Sequence, residues 1–166
     1  NAAALLEYLV NNHYFLKKKE GGHYRFYDPF ADYLRSVLPP AKEEYQKAAQ
    51  CFLDAGDWMS AGRFAFLADN WALLERCAVQ TGDAMITNGL IPELDGWLDR
   101  LGADRCGPVA CLFKAKLLVL RGQYAEAMPV VDRALSGFRS AGGRDRMVEA
   151  MRYRAMLTRH DGVCED

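Results

Sequence analysis

Few side chains in this sequence stand at spacings that could do chemistry. Asp28 and Asp32 are one helical turn apart, so their carboxylates could share a face and act as an acid–base pair. No partner base or metal ligand accompanies them. Asp28 therefore reads better as a helix cap and Asp32 as a solvated carboxylate. The three histidines, His13, His23 and His160, lie far apart, and none falls in a His-x-x-x-His or Cys–His spacing. The five cysteines (Cys51, Cys77, Cys106, Cys111 and Cys164) are odd in number and include no Cys-x-x-Cys pair. They read as reduced thiols, most packing like small apolar side chains, rather than as a disulfide framework or zinc site. A Gly-x-x-x-x-Gly-Lys-Ser/Thr phosphate loop is absent, so no nucleotide is expected to bind. These residues predict a chain that is not an enzyme and carries no cofactor or metal.

One basic run, Lys17-Lys18-Lys19 with Arg25 nearby, could touch nucleic-acid phosphates. The favoured reading is a solvated hairpin tip. With 21 Lys and Arg against 22 Asp and Glu, the formal charge is -1, and no global field draws the chain to nucleic acid or to an acidic membrane surface.

The strongest organising signal is an internal repeat. Gly56-Asp57-Trp58, Gly89-Leu90-Ile91 and Gly122-Gln123-Tyr124 recur at a step of 33 residues. A small residue stands seven places before each glycine (Ala49, Gly82, Ala115) and a large apolar one four places before it (Phe52, Met85, Leu118). Ala61, Leu94 and Ala127 follow at five places. Each unit then reads as helix A, a tight turn and helix B. The glycine takes the left-handed conformation that ends A, and the small residues let B approach closely. Pro92 falls early in its helix B, where proline is tolerated. Trp58, Trp71 and Trp97 read as packing residues at helix starts and between units. A fourth unit is expected from about Arg144, with Ala155 and Asp161-Gly162 matching Ala115 and Gly122 at a step of 40. The extra residues around Gly142-Gly143 would lengthen the preceding helix B.

The first forty residues follow a different pattern. Residues 1–12 read as a helix with Leu5, Leu6, Leu9 and Val10 on one side. Tyr14-Phe15-Leu16 and His23-Tyr24-Arg25-Phe26-Tyr27 read as two short strands around Gly21-Gly22. Asp28 and Pro29 open a second helix running to Leu38, and Pro39-Pro40 stops it. Helix, two-stranded wing and helix make the tail of a winged helix. The predicted organisation is a partial winged-helix module over 1–38 and helical repeats over 40–166, an all-α fold with one small β-hairpin.

The repeat positions resemble the tetratricopeptide repeat, best in Gly122-Gln123-Tyr124-Ala125-Glu126-Ala127. The stretch from Leu5 through Asn11-Asn12-His13-Tyr14-Phe15-Leu16, followed by Tyr24-Arg25-Phe26-Tyr27-Asp28-Pro29-Phe30, resembles the junction before the sensor domain in MalT-like, LuxR-type, STAND-class ATP-dependent transcriptional regulators. Tyr27 and Asp28 stand where that family usually has two histidines, and Pro29 where it has leucine. The resemblance implies a cytoplasmic, non-catalytic sensor fragment that binds an inducer or a regulatory protein and relays occupancy to other domains of the same chain. The alternative is a protein-docking scaffold with no small-molecule effector. Tetratricopeptide geometry would place a groove along helices A, with Gln46, Gln50, Asp83, Thr87 and Lys116 as candidate contacts, against the plain reading of an ordinary polar surface.

The composition, 51% hydrophobic and 26% charged, is that of a globular chain. No run of residues is long and apolar enough to span a bilayer, and Glu7, Asn11 and the lysine run fall in the wrong order for a signal peptide. Because it opens on Asn1 and stops just after a turn signal, the chain is expected to be a piece of something longer.

Overall fold

The computed structural model describes residues 2–19, 22, 24–102, 105–141 and 143–161. It is mostly helical, with one small two-stranded antiparallel sheet, and divides into two compact units, Asn1–Ala41 and Lys42–Asp166.

The first unit comprises α1 (Ala2–Asn11), β1 (Leu16–Lys18), β2 (Tyr24–Phe26) and α2 (Asp28–Val37). The strands pair Leu16 with Phe26, Lys17 with Arg25 and Lys18 with Tyr24. Leu16 and Lys18, two apart, share one face with Tyr24: Leu16 is buried there, while Lys18 and Tyr24 both bond to Glu7 of α1, at 2.5 and 2.8 Å. Tyr14 and Phe15 do not join the strand. His13 and Phe15 have φ of 57° and 56°, so the chain turns sharply between α1 and β1. The ring of Phe15 then stacks on Phe30 of α2 at 4.8 Å. Asp28 is not the cap of α2. Tyr27 holds that position without a side-chain bond, and the Asp28 carboxylate pairs with Arg25 at 2.7 Å. Gly21, His23 and most of the expected hairpin turn lie outside the described residues.

The second unit contains α3 (Lys42–Asp54), α4 (Trp58–Leu67), α5 (Trp71–Thr87), α6 (Ile91–Leu101), α7 (Pro108–Leu120), α8 (Tyr124–Ala141) and α9 (Arg144–Asp161). Each helix packs on the next, and α7 also packs on α5 and α9. Three of the links are the same turn. Gly56, Gly89 and Gly122 have φ of 76°, 74° and 74°. At each, the glycine N–H bonds the carbonyl three residues back, and the next N–H bonds the carbonyl five back, on Phe52, Met85 and Leu118. This paired closure consumes carbonyls that the helix end leaves unsatisfied, and its left-handed residue favours glycine. Asp69, φ 53°, makes the same closure between α4 and α5 without being glycine. Asn70 then caps α5 by accepting from the Leu73 N–H at 3.2 Å.

Small residues set how closely the helices approach. Ala49 and Ala115 are fully buried. Gly82 lies under the Phe113 ring, where an added Cβ would stand 2.5 Å from Cε2. Trp97, expected to pack at a helix start or between units, is a buried mid-helix residue whose ring covers Gly62. Two apolar clusters result, and α7 serves both. Ala110, Phe113 and Leu117 join the first, with residues from α3 to α6; Cys111, Leu112, Ala115 and Leu118 join the second, with α8 and α9.

The last helix buries one side only. Ala155 is exposed, whereas Ala150 is fully buried in the second cluster with Leu157. A step of 40 residues relates Ala110 and Leu117 of α7, buried in the first cluster, to Ala150 and Leu157 of α9, buried in the second. The 18-residue length of α8 does absorb the extra residues. Gly162 and Cys164 lie outside the described residues.

Candidate functional site

Three of the five candidate groove residues come together, and two stand apart. Asp83 and Thr87 are exposed, one turn apart on α5, and the Thr87 hydroxyl donates to the Asp83 carbonyl at 2.9 Å. Lys116 of α7 reaches the Asp83 carboxylate at 3.0 Å. Gln46 and Gln50 are exposed on α3, where Gln50 donates to Asp54 at 2.6 Å. Among the described residues, no hydrogen bond or ion pair links them to the other three.

Lys116 is not an open groove contact. Its side chain is 8% exposed and bridges Asp83 and, at 2.5 Å, Glu149 of α9. Arg146, one turn before Glu149, bonds Asp83 at 2.6 Å and Glu149 at 3.0 Å. The four groups form a closed ring of alternating charge joining α5, α7 and α9. Beneath it, the Phe113 ring lies 5.0 Å from the Lys116 ammonium and 5.5 Å from the Arg146 guanidinium. Both cations rest on the negative face of the ring, so Phe113 supports the network while its other contacts cover Gly82.

The electrostatics agree with that geometry. Burial works to raise the pKa of Asp83, but hydrogen bonds from Arg146 and Lys116 outweigh it and hold the carboxyl below its ordinary range. The bond to Asp83 in turn holds Arg146 in its charged form. With two cations and two carboxylates the ring is neutral. It offers neither a nucleophile nor an unpartnered base, and it ties α5, α7 and α9 together.

Sequence reasoning missed Arg146 and Glu149, although the signal for one was present. The step of 33 that relates Asp83 to Lys116 lands next on Glu149, so one charged position recurs on α5, α7 and α9 as minus, plus, minus.

A second concavity of about 290 Å³ lies among α6, α7 and α8, lined in part by Leu98, Cys106, Cys111, Leu118 and Val130. At its edge Lys114 is held by Asp95 at 2.9 Å and Asp99 at 2.5 Å. Burial pushes the Cys106 thiol up to about 11 and also raises that of Cys111, so neither is a thiolate nucleophile at neutral pH. Asp28 and Asp32 make no carboxylate pair: each is engaged by an arginine, Arg25 and Arg35 respectively. Among the described residues, no group of three or more His, Cys, Asp or Glu could hold a metal, and no helix is long and apolar enough to cross a membrane.

No family model, curated protein or solved structure matches the chain.

Proposed function

We propose that the chain is a non-catalytic interaction domain of a MalT-like transcriptional regulator: a tetratricopeptide-like array that binds an inducer or a regulatory protein and passes occupancy to other domains. The observation that carries this reading is the identical turn at Gly56, Gly89 and Gly122. The same φ, the same two hydrogen bonds and a buried small residue seven places earlier recur at one interval. A unit of that kind cannot bury its apolar face alone and must stack on its neighbours. Helix α7 contacts both α5 and α9, two helices away in each direction, and this supports the stacking of helix pairs. Under this reading the first unit is the end of a winged helix, and the domain acts in the cytoplasm.

A second reading, a docking scaffold without a small-molecule effector, is favoured by one observation. The charges of Asp83 and Lys116 satisfy each other and their α9 partners, which leaves less for a charged metabolite to exploit. A thermal-shift screen against sugars and other metabolites separates the two. An inducer raises the melting temperature progressively with concentration, and Gln46→Ala with Gln50→Ala weakens its binding without altering the unliganded melt. A screen without any concentration-dependent stabilisation removes the inducer reading. Stabilisation by ATP would contradict the assignment of this segment to a part of the regulator that lacks the nucleotide site.

A further inference from the structure

Cys106 and Cys111 stand on either side of the cap of α7. Gly107 is the N-cap and Pro108 the first helical residue, so Cys106 precedes the cap and Cys111 is the fourth residue of the helix. Side chains at those two positions meet across the cap, as in a hydrophobic staple. The Cys111 thiol donates to the Cys106 carbonyl at 3.4 Å, and both side chains line the concavity of about 290 Å³ among α6, α7 and α8. Between them the Gly107 N–H bonds the Glu75 carboxylate at 2.5 Å, which fixes the turn that presents Cys106. Cys106 is half-buried and Cys111 buried, and among the described residues no other cysteine lines this cavity. The cavity does not favour ions. Its rim carries Lys114 and Arg133 against Asp99 and Glu126, so no net charge draws one in. Its floor is apolar, formed by Leu98, Leu118 and Val130. Burial keeps both thiols protonated at neutral pH.

We propose that Cys106 and Cys111 form a binding site for a small neutral trivalent arsenical, held by both thiols at once. Each sulfur bonds to arsenic as one hydroxyl leaves, and the thiol proton joins that hydroxyl as water. Two thiols and one arsenous hydroxide bearing an organic group therefore give a dithioarsenite and two waters. The oxidation state does not change, and no charge is left in the cavity. A divalent soft metal ion enters as a cation and must release both thiol protons to solvent, which burial opposes. An apolar substituent on the arsenic would cover Leu98, Leu118 and Val130. The concavity shares no residue with the Asp83–Lys116 ring or with the glutamines of α3, so this site stands or falls separately from the groove of the inducer reading.

The probe is phenylarsine oxide, added to the whole chain and followed by native mass spectrometry and by thermal shift. The expected result is one phenylarsenic group per chain in place of two thiol hydrogens, with a melting temperature that rises with probe concentration. Dimercaptopropanol should remove the group where mercaptoethanol at the same thiol concentration does not, because attachment at two points strengthens binding about a hundredfold over one. Cys106→Ser and Cys111→Ala should each weaken binding by that factor, and Cys51→Ser should leave it unchanged. In the unaltered chain, whose fold is not in question, the probe should protect Cys106 from N-ethylmaleimide and leave Cys51 reactive. Removal by mercaptoethanol as readily as by the dithiol, binding that survives Cys106→Ser, or a Cys106 still reactive beside the probe would each overturn the proposal. So would tighter binding of Cd2+ than of the arsenical, because the site would then be one for an ion.

Discussion

Replacing Gly82 by alanine tests whether close helix approach is what the repeat encodes. The added methyl would stand 2.5, 2.7 and 2.8 Å from three atoms of the Phe113 ring, about 1 Å inside ordinary contact. Phe113 is fully buried and cannot swing aside, so α5 and α7 must separate or the ring must leave its rotamer. Overpacking of this kind costs about 1–3 kcal/mol. Against it stands a gain of about 1 kcal/mol, because alanine is the better helix former. The net is a loss of about 1 kcal/mol, seen as a fall of a few degrees in the melting temperature. The decisive measurement is a double-mutant cycle by urea unfolding with Phe113→Leu. Removing the ring edge relieves the clash, so the double variant should be more stable than the sum of the two singles predicts, by about 1–2 kcal/mol. Additive effects, or Gly82→Ala stabilising by its full helix-propensity gain, would refute the claim that the glycine exists to seat the ring.

Three further outcomes are expected. Lys116→Met removes the cation between Asp83 and Glu149 and should cost about 1–2 kcal/mol in urea unfolding; this is less than for a fully buried pair, because both carboxylates keep access to water. Asp83 and Asp95 hold their protons less readily folded than unfolded, each because bonds from two cations outweigh the opposing effect of burial. Their contribution is therefore complete above the unfolded carboxylate range and is lost as pH falls through the lower folded values. The pH–stability curve should be flat from neutrality to about pH 5 and decline below about pH 4, less steeply when salt is added. Under native conditions iodoacetamide should modify Cys51, which is exposed, well before Cys77 and Cys111, which are buried, with the order read by mass spectrometry; early loss of Cys77 would mean that the first cluster opens.

What the sequence determined by itself is local. Turn glycines at a step of 33 announce where three helices end, because only a residue free to take positive φ closes that turn cheaply. Pro92 marks a helix start for an equally local reason, its fixed φ and missing N–H. Small residues at Ala49, Gly82 and Ala115 announce that something packs closely there, without saying what. Tertiary structure alone decided the rest. It chose the Phe113 ring to fill the space over Gly82 and let the non-glycine Asp69 close a fourth turn of the same kind. It also turned Lys116 from a groove candidate into the centre of a neutral ring with Arg146 and Glu149. Spacing along a chain specifies which side of a helix a residue occupies, but the partner that meets it depends on how far α9 slides along α7 before their apolar surfaces interlock. That sliding is set by the summed packing of many side chains, and no single interval in the sequence records it.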